Sequence, residues 1–246
     1  MTIKSNTTPT AKRFIERLKT YQSDAEREKI LRYFKTPING DADQFIGVRM
    51  GQVFALAKEF ITMTPDEIEK LLESKIHEVR AGACSIMDKQ ARSKKTTSER
   101  RKELYDLYFR RHDRINNWDL VDVCAIHVVG GYLFDKPRKI LYKLARSGNM
   151  WERRTSIVST AYLIRKGELD DTYMIAEVLL GDKEDLVHKA TGWMLRFAGD
   201  KDRPRLLKFL DQHAATMPRV ALRYSIEHLD KKQREHYLGL KKSSRE

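Results

Sequence analysis

The sequence predicts an all-α fold, a right-handed solenoid of stacked helix pairs, on three observations. Helix-start signals recur along the whole chain, strand signals are nearly absent, and similar helix openings return every few tens of residues. Taken in order, Ser23-Asp24-Ala25-Glu26 reads as a capping box, and Thr64-Pro65-Asp66-Glu67 as a second with proline at the first helical position. Pro137, Pro204 and Pro218 sit where further helices can begin. The connections are only a few residues long, as in Arg146-Ser147-Gly148-Asn149 and Gly181-Asp182-Lys183. About a dozen helices and no hairpin are expected.

Four openings carry the repeat: His77-Glu78-Val79-Arg80-Ala81, Trp118-Asp119-Leu120-Val121-Asp122, Trp151-Glu152-Arg153-Arg154-Thr155 and Asp185-Leu186-Val187-His188-Lys189-Ala190. Each passes from polar into small and apolar residues, at intervals of 41, 33 and 34 residues. Met217-Pro218-Arg219-Val220-Ala221 opens a shorter last unit. Helix pairs at this period are the mark of HEAT or armadillo repeats, with a non-repeating helical bundle as the alternative. A single domain over residues 1–246 is expected, with 1–10 and 241–246 as tails. In such a solenoid Arg80, Arg153, Arg154, His188, Lys189 and Arg219 would line a concave basic groove suited to the phosphates of a duplex. The Trp118 repeat departs from this, because it carries Asp122. An acid in a groove built for polyanions opposes binding, which makes it a candidate for chemistry.

The composition fits that partner. Apolar residues at 41% and charged residues at 34% describe a soluble protein of amphipathic helices, and the formal net charge is +13. The excess is clustered: residues 89–114 hold ten Lys/Arg against four Asp/Glu, and residues 201–246 twelve against six. A solvated charged face is the plain explanation of such runs, but their size favours a polyanion, nucleic acid before membrane. No apolar run reaches the roughly 18 residues a membrane helix needs. Met1 to Lys12 lacks a signal-peptide core, and Cys84 and Cys124 make no disulfide framework, so a cytoplasmic, nucleoid-associated location is expected.

The residues of most interest open the second repeat helix. Trp118 and Asp122, four apart, are neighbours on one side of it, while Val121, Cys124, Ala125, Val128 and Val129 form its core stripe. The pair therefore sits at the edge of the buried face. An aromatic face beside a carboxylate can hold a sugar and stabilise positive charge on it. The competing reading is packing, with Trp118 partly in the core and Asp122 capping or pairing with an arginine. Trp193 lies in the apolar series Leu186, Ala190, Trp193, Met194, Phe197, and by that spacing alone reads as core. Arg154, three before Ile157 and four before Val158, puts a cation on an apolar side, which is costly unless it is paired or opens into a cleft. The histidines and cysteines show no metal-ligand spacing. Gly130-Gly131 lacks the dinucleotide fingerprint, and no Gly-x-Ser-x-Gly elbow occurs.

From about Arg13 to Leu229 the chain resembles the AlkD-type DNA alkylation repair glycosylases, a family built of HEAT-like repeats. The resemblance rests on Arg32-Tyr33-Phe34-Lys35, Gly40-Asp41, Gln44-Phe45-Ile46-Gly47-Val48-Arg49, Asn117-Trp118-Asp119-Leu120-Val121-Asp122, Asn149-Met150-Trp151-Glu152-Arg153-Arg154 and Lys189-Ala190-Thr191-Gly192-Trp193-Met194-Leu195-Arg196. It implies excision of N3- and N7-alkylated purines from double-stranded DNA by a monomer without cofactor or metal. The family's catalytic aspartate falls on Asp122, its sugar-facing tryptophans on Trp118 and Trp193, and its DNA-contacting arginine on Arg154. Tyr33, Gln44 and Arg196 match further cleft positions, and Arg153 and Lys189 lie beside them. The resemblance also implies that the lesion stays largely stacked, whereas most glycosylases flip the base. Two rival readings are a non-enzymatic solenoid that binds branched or damaged DNA and a protein-interaction scaffold.

Overall fold

The computed structural model describes residues 8–32, 34 and 43–240. The expected tails 1–10 and 241–246 fall mainly outside these, and of them only residues 8–10 are described; Thr10 there caps the first helix. Among the described residues the structure is helical with no strand, and one isolated parallel bridge joins Gln44 to Ile76. The predicted all-α repeat architecture is therefore correct. Repeat openings fall at His77, Trp118, Met150, Asp185 and Arg219, spaced 41, 32, 35 and 34 residues apart.

The chain forms two units, Met1–Cys124 and Ala125–Glu246. The first contains α1 (Ala11–Lys19), α2 (Asp24–Leu31), α3 (Met50–Glu59), α4 (Pro65–Leu72), α5 (His77–Arg92), α6 (Ser98–Arg110) and all but the last residue of α7 (Trp118–Ala125). Its centre is α5, which packs against α3, α4 and α6 and is buried nearly all round. Gly82 faces the Phe14 ring of α1, where any Cβ would strike it. Much of the basic run on and after α6 is structural. Arg101 donates to the Ala91 and Ser93 carbonyls at the end of α5, and Arg114 to the Leu72 and Ser74 carbonyls at the end of α4. Cations at helix C-termini satisfy orphan carbonyls and oppose the negative end of the helix dipole.

The second unit opens with a π-helical stretch, Ile126–Gly130, and α8 (Gly131–Leu133). It continues with α9 (Lys139–Leu144), α10 (Met150–Arg165), α11 (Asp170–Leu179), α12 (Asp185–Gly199), α13 (Arg203–His213), α14 (Arg219–Ser225) and α15 (Lys231–Gly239). Helix α12 is its hub, against α10, α11, α13 and α14. Close approach explains two glycines: Gly130 lies on the Ser159 backbone of α10, and Gly192 on the Ala221 backbone of α14.

Two helix starts differ from expectation. Ser23 accepts the Glu26 N–H at 3.4 Å, but the Glu26 carboxylate pairs with Lys29 and Arg49. The Ser23 N–H it would have served already donates to the Ile46 carbonyl, so only half of that capping box forms. At α4, Thr64 makes no side-chain cap, although Pro65 takes the first helical position as expected. There Glu67 is occupied by the Ala11 N–H at 2.6 Å and by Lys70. In both places a tertiary partner outcompetes the local one.

Candidate active site

The segment before α3 wraps the N-terminus of α5. The His77 N–H, an orphan donor of that helix, is met by the Gln44 carbonyl at 2.8 Å, and the Gln44 N–H donates to the Lys75 carbonyl at 3.0 Å. Glu78, fully buried, accepts the N–H groups of Ile46, Gly47 and Val48 at 3.1, 2.9 and 3.3 Å. Gly47 has φ +76°, and a Cβ there would collide with the Ser23 carbonyl, so glycine is required. This wrapping leaves the Gln44 side chain exposed and sets Asp43 beside His77.

His77 has no exposed surface and engages both ring nitrogens. Its Nδ1 lies 3.0 Å from Asp43 Oδ2, and its Nε2 lies 2.7 Å from Asp119 Oδ2 on α7. Burial opposes charge on the ring, but the hydrogen bonds to Asp119 and Asp43 outweigh it and push its pKa up to about 9. Burial likewise opposes charge on Asp43, yet His77 and Arg80 hold its pKa down at about 2. Arg80 is 1% exposed and donates to Asp43 at 2.5 Å and to the Ser74 carbonyl at 3.0 Å. It is thus interior structure, not the open phosphate contact expected of a basic track.

The first turn of α7 is pinned to this cluster through Asp119. Asn117 accepts the Trp118 N–H at 2.8 Å and helps to open the helix. Val121, Cys124, Ala125, Val128 and Val129 are buried as the periodicity predicts, while Asp122 is partly exposed and Trp118 is 36% exposed. The indole stacks on Phe34 with ring centroids 6.0 Å apart and an interplanar angle of 17°. Phe34 also contacts Phe45 at 4.8 Å and His77 at 5.0 Å. Trp118 is therefore braced on one side and partly open to solvent. Tyr33 lies outside the described residues, and its neighbour Phe34 is the residue that meets Trp118.

The remaining candidates lie in the second unit. Arg154 on α10 is 4% exposed, and its Nη1 donates to the Leu186 carbonyl in the first turn of α12. Arg153 beside it binds Asp182 through Nε at 2.6 Å and the Ser147 carbonyl through Nη1 at 2.9 Å. Burial opposes charge on Asp182 as well, but Arg153 and the Glu184 N–H hold its carboxyl below the ordinary range. On α12, Lys189 is partly exposed, and so is Trp193, contrary to the core position that its apolar series alone predicts. The flanking Gly192 and Met194 are buried instead, so the buried stripe passes to either side of the indole, which contacts Phe197 at 6.3 Å. Arg196 pairs with Glu227 and lines a pocket of about 300 Å³ with Lys201, Arg203 and His228. Arg219 is exposed and donates to the Leu238 carbonyl.

Sequence reasoning missed His77, Asp119 and Phe34 as parts of the site. Two of them stand inside quoted motifs, Phe34 next to Tyr33 and Asp119 next to Trp118, and His77 is the first residue of a repeat helix. The contacts they make, with Asp43 and Trp118 included, join residues 34 to 84 apart in the sequence, which hides them.

Comparison with known proteins adds two findings. A family model described as DNA alkylation repair enzyme matches residues 14–229. The solved structure of a predicted DNA alkylation repair enzyme from Enterococcus faecalis is similar, with a TM-score of 0.67 and 17% identity, over 85% of this chain and 97% of that one. Among curated proteins no sequence match is found.

Proposed function

We propose a specific chemistry for a chain that belongs to the DNA alkylation repair enzyme family: it hydrolyses the N-glycosidic bond of cationic N3- and N7-alkylated purines in duplex DNA. The observation that carries this reading is the solvent side of α7, where a braced, partly exposed Trp118 stands one turn before a partly exposed Asp122 over a buried stripe.

Alkylation at N3 or N7 leaves the purine cationic, so the base departs as a neutral molecule without being protonated. The C1′–N bond breaks with its electron pair going to the base, and positive charge develops on the sugar. Asp122 stabilises that charge as a preorganised carboxylate and orients the water that adds to C1′ and then releases its proton. One carboxylate suffices, in contrast to the pair of ordinary glycoside hydrolysis. The Trp118 face adds cation–π attraction of about 0.5–2 kcal/mol, and Trp193 is the other candidate for that role. Arg154, Arg153, Lys189, Arg196 and Gln44 are the candidates for holding the DNA backbone. No amine nucleophile is invoked, so the product is an abasic site in an uncut strand. The lesion need not leave the stack, and the enzyme acts as a monomer.

The test is release of 7-methylguanine and 3-methyladenine from methylated duplex by purified protein. Base release that Asp122→Asn abolishes while DNA binding persists supports the reading. Salt-dependent binding to DNA with no base release points to recognition of branched or damaged DNA, and absence of such binding points to a protein scaffold.

A further inference from the structure

Beneath Trp118 lies a buried polar chain that the glycosidic chemistry does not use. His77 bridges Asp43 and Asp119 at 3.0 and 2.7 Å, and Arg80 completes the group by binding Asp43. Two cations and two carboxylates make a neutral set inside the protein. The charged groups facing the ring are Asp119 from α7, Asp43 from the segment before α3, and Arg80 from its own helix. Phe34 and Phe45 flank it with centroids at 5.0 and 4.9 Å.

We propose that His77 is a positioning residue: held between Asp119 and Asp43, it fixes the first turn of α7 and the Phe34 ring under Trp118, and so sets where the indole meets the sugar. This rests on the glycosylase reading given above. It goes beyond that reading by assigning the orientation of Trp118 to a residue outside the catalytic face.

The geometry excludes the simpler roles. His77 is fully buried with both nitrogens engaged, so it has no proton to exchange with a substrate. A residue serving only as bulk would be apolar, because burying charge is expensive unless each ion is paired and hydrogen-bonded. A neutral imidazole has one N–H and can donate to one carboxylate only. Bridging both requires the imidazolium, which explains why the ring stays charged at neutral pH. Both ends of the bridge matter to the site. Asp119 directly follows Trp118, and Asp43 directly precedes the exposed Gln44. Without the imidazolium the two carboxylates compete for a single ring N–H, and whenever Asp43 takes it Asp119 keeps only the Leu120 N–H and the α7 turn relaxes. A displacement of about 1 Å at a reacting centre is enough to lower a rate by about 10²-fold.

The experiment pairs His77→Gln with the wild-type protein. Glutamine donates to one carboxylate and carries no charge. The variant, checked by circular dichroism for an intact fold, should lose excision rate by about 10- to 10²-fold while its duplex Kd stays within about threefold of wild type. In short assays the wild-type rate should fall as pH rises through about 9, and the variant should lack that limb. Imidazole NMR of the wild type supplies a readout that needs neither activity nor a folded variant. Both His77 ring N–H groups should be present at pH 7, and their loss near pH 9 should move the Trp118 indole signal with them. A neutral His77 at pH 7, a Trp118 signal indifferent to its titration, or a folded His77→Gln with full excision overturns the proposal. If the wild-type protein releases no base, the glycosylase reading fails, and the NMR result still decides whether His77 sets Trp118.

Discussion

Helices α5 and α10 both have 16 residues and both are buried nearly all round, yet they bury polar groups by opposite means. Helix α5 buries the charges of His77, Glu78 and Arg80, and their partners come from other segments: Asp43, the N–H groups of residues 46–48, and Asp119. Apart from Arg154, which donates to the Leu186 carbonyl of α12, helix α10 buries hydroxyls that turn back on their own helix. Ser156 donates to the Arg153 carbonyl, Ser159 to the Thr155 carbonyl and Thr160 to the Ile157 carbonyl, each at 2.7 Å. The first arrangement is long-range and titrates. The second is local and is insensitive to pH. Trp118 and Asp122 thus stand on a helix whose first turn is tied to buried charges of distant segments, whereas Arg154 stands on a helix whose buried hydroxyls are satisfied within it.

The largest expected effect tests whether chemistry lives in the first unit alone. Asp122→Asn should retain duplex binding and lower the rate of 7-methylguanine release by about 10²–10³-fold, the loss that follows removal of one preorganised electrostatic group. An equal loss from Arg154→Lys, with Asp122→Asn nearly harmless, would reverse the assignment of the two units.

Next comes the pH dependence of stability, which should originate in the first unit. A pKa raised from 6.5 to about 9 makes the His77 contribution fully present below pH 6.5 and lost as pH climbs through 9, on the order of 3 kcal/mol. The depressed carboxyl of Asp43 acts in the opposite sense, present above pH 3.8 and lost as pH falls toward 2. Urea denaturation from pH 6 to 10 should show the alkaline loss in wild type and a flatter curve in His77→Gln. Identical slopes would mean that the titrating group lies elsewhere. Glu78→Gln should be smaller, about 2 kcal/mol, because an amide accepts less well than a carboxylate from the Ile46, Gly47 and Val48 N–H groups.

The same contrast explains what the sequence could reveal. Helix openings at His77, Trp118, Asp185 and Arg219 were legible because the change from polar to small and apolar residues is local, and α10 opens one residue before the Trp151 that marks it. The buried stripe of α7 was legible for the same reason. The bridge from Asp43 through His77 to Asp119 was not, since its members are 34 and 42 residues apart and follow no period. Nor was the burial of Arg154, which depends on a carbonyl 32 residues away. Trp193 shows the limit of periodicity itself: its apolar series reads as core, but within that series only Ala190 and Met194 are buried, while Leu186, Trp193 and Phe197 are partly exposed. Trp193→Ala should accordingly weaken excision more than folding, by about tenfold in rate if the indole lends cation–π attraction to the sugar. A collapse in Tm with no separate kinetic effect would restore the core reading.

The smallest effect is the sharpest check on α10. Ser159→Ala removes a buried hydroxyl whose hydrogen bond runs to the Thr155 carbonyl four residues earlier in the same helix. The donor and its whole demand for a partner vanish together, and alanine is the better helix former. The Gly130 contact is with the Ser159 backbone, which the substitution leaves in place. A change within about 1 kcal/mol, of either sign, is therefore expected in urea denaturation. A loss above about 3 kcal/mol, the size reserved for cavities and broken networks, would show that α10 is as dependent on outside partners as α5. The distinction between a helix held by titrating outside partners and one whose hydroxyls are satisfied locally would then fall.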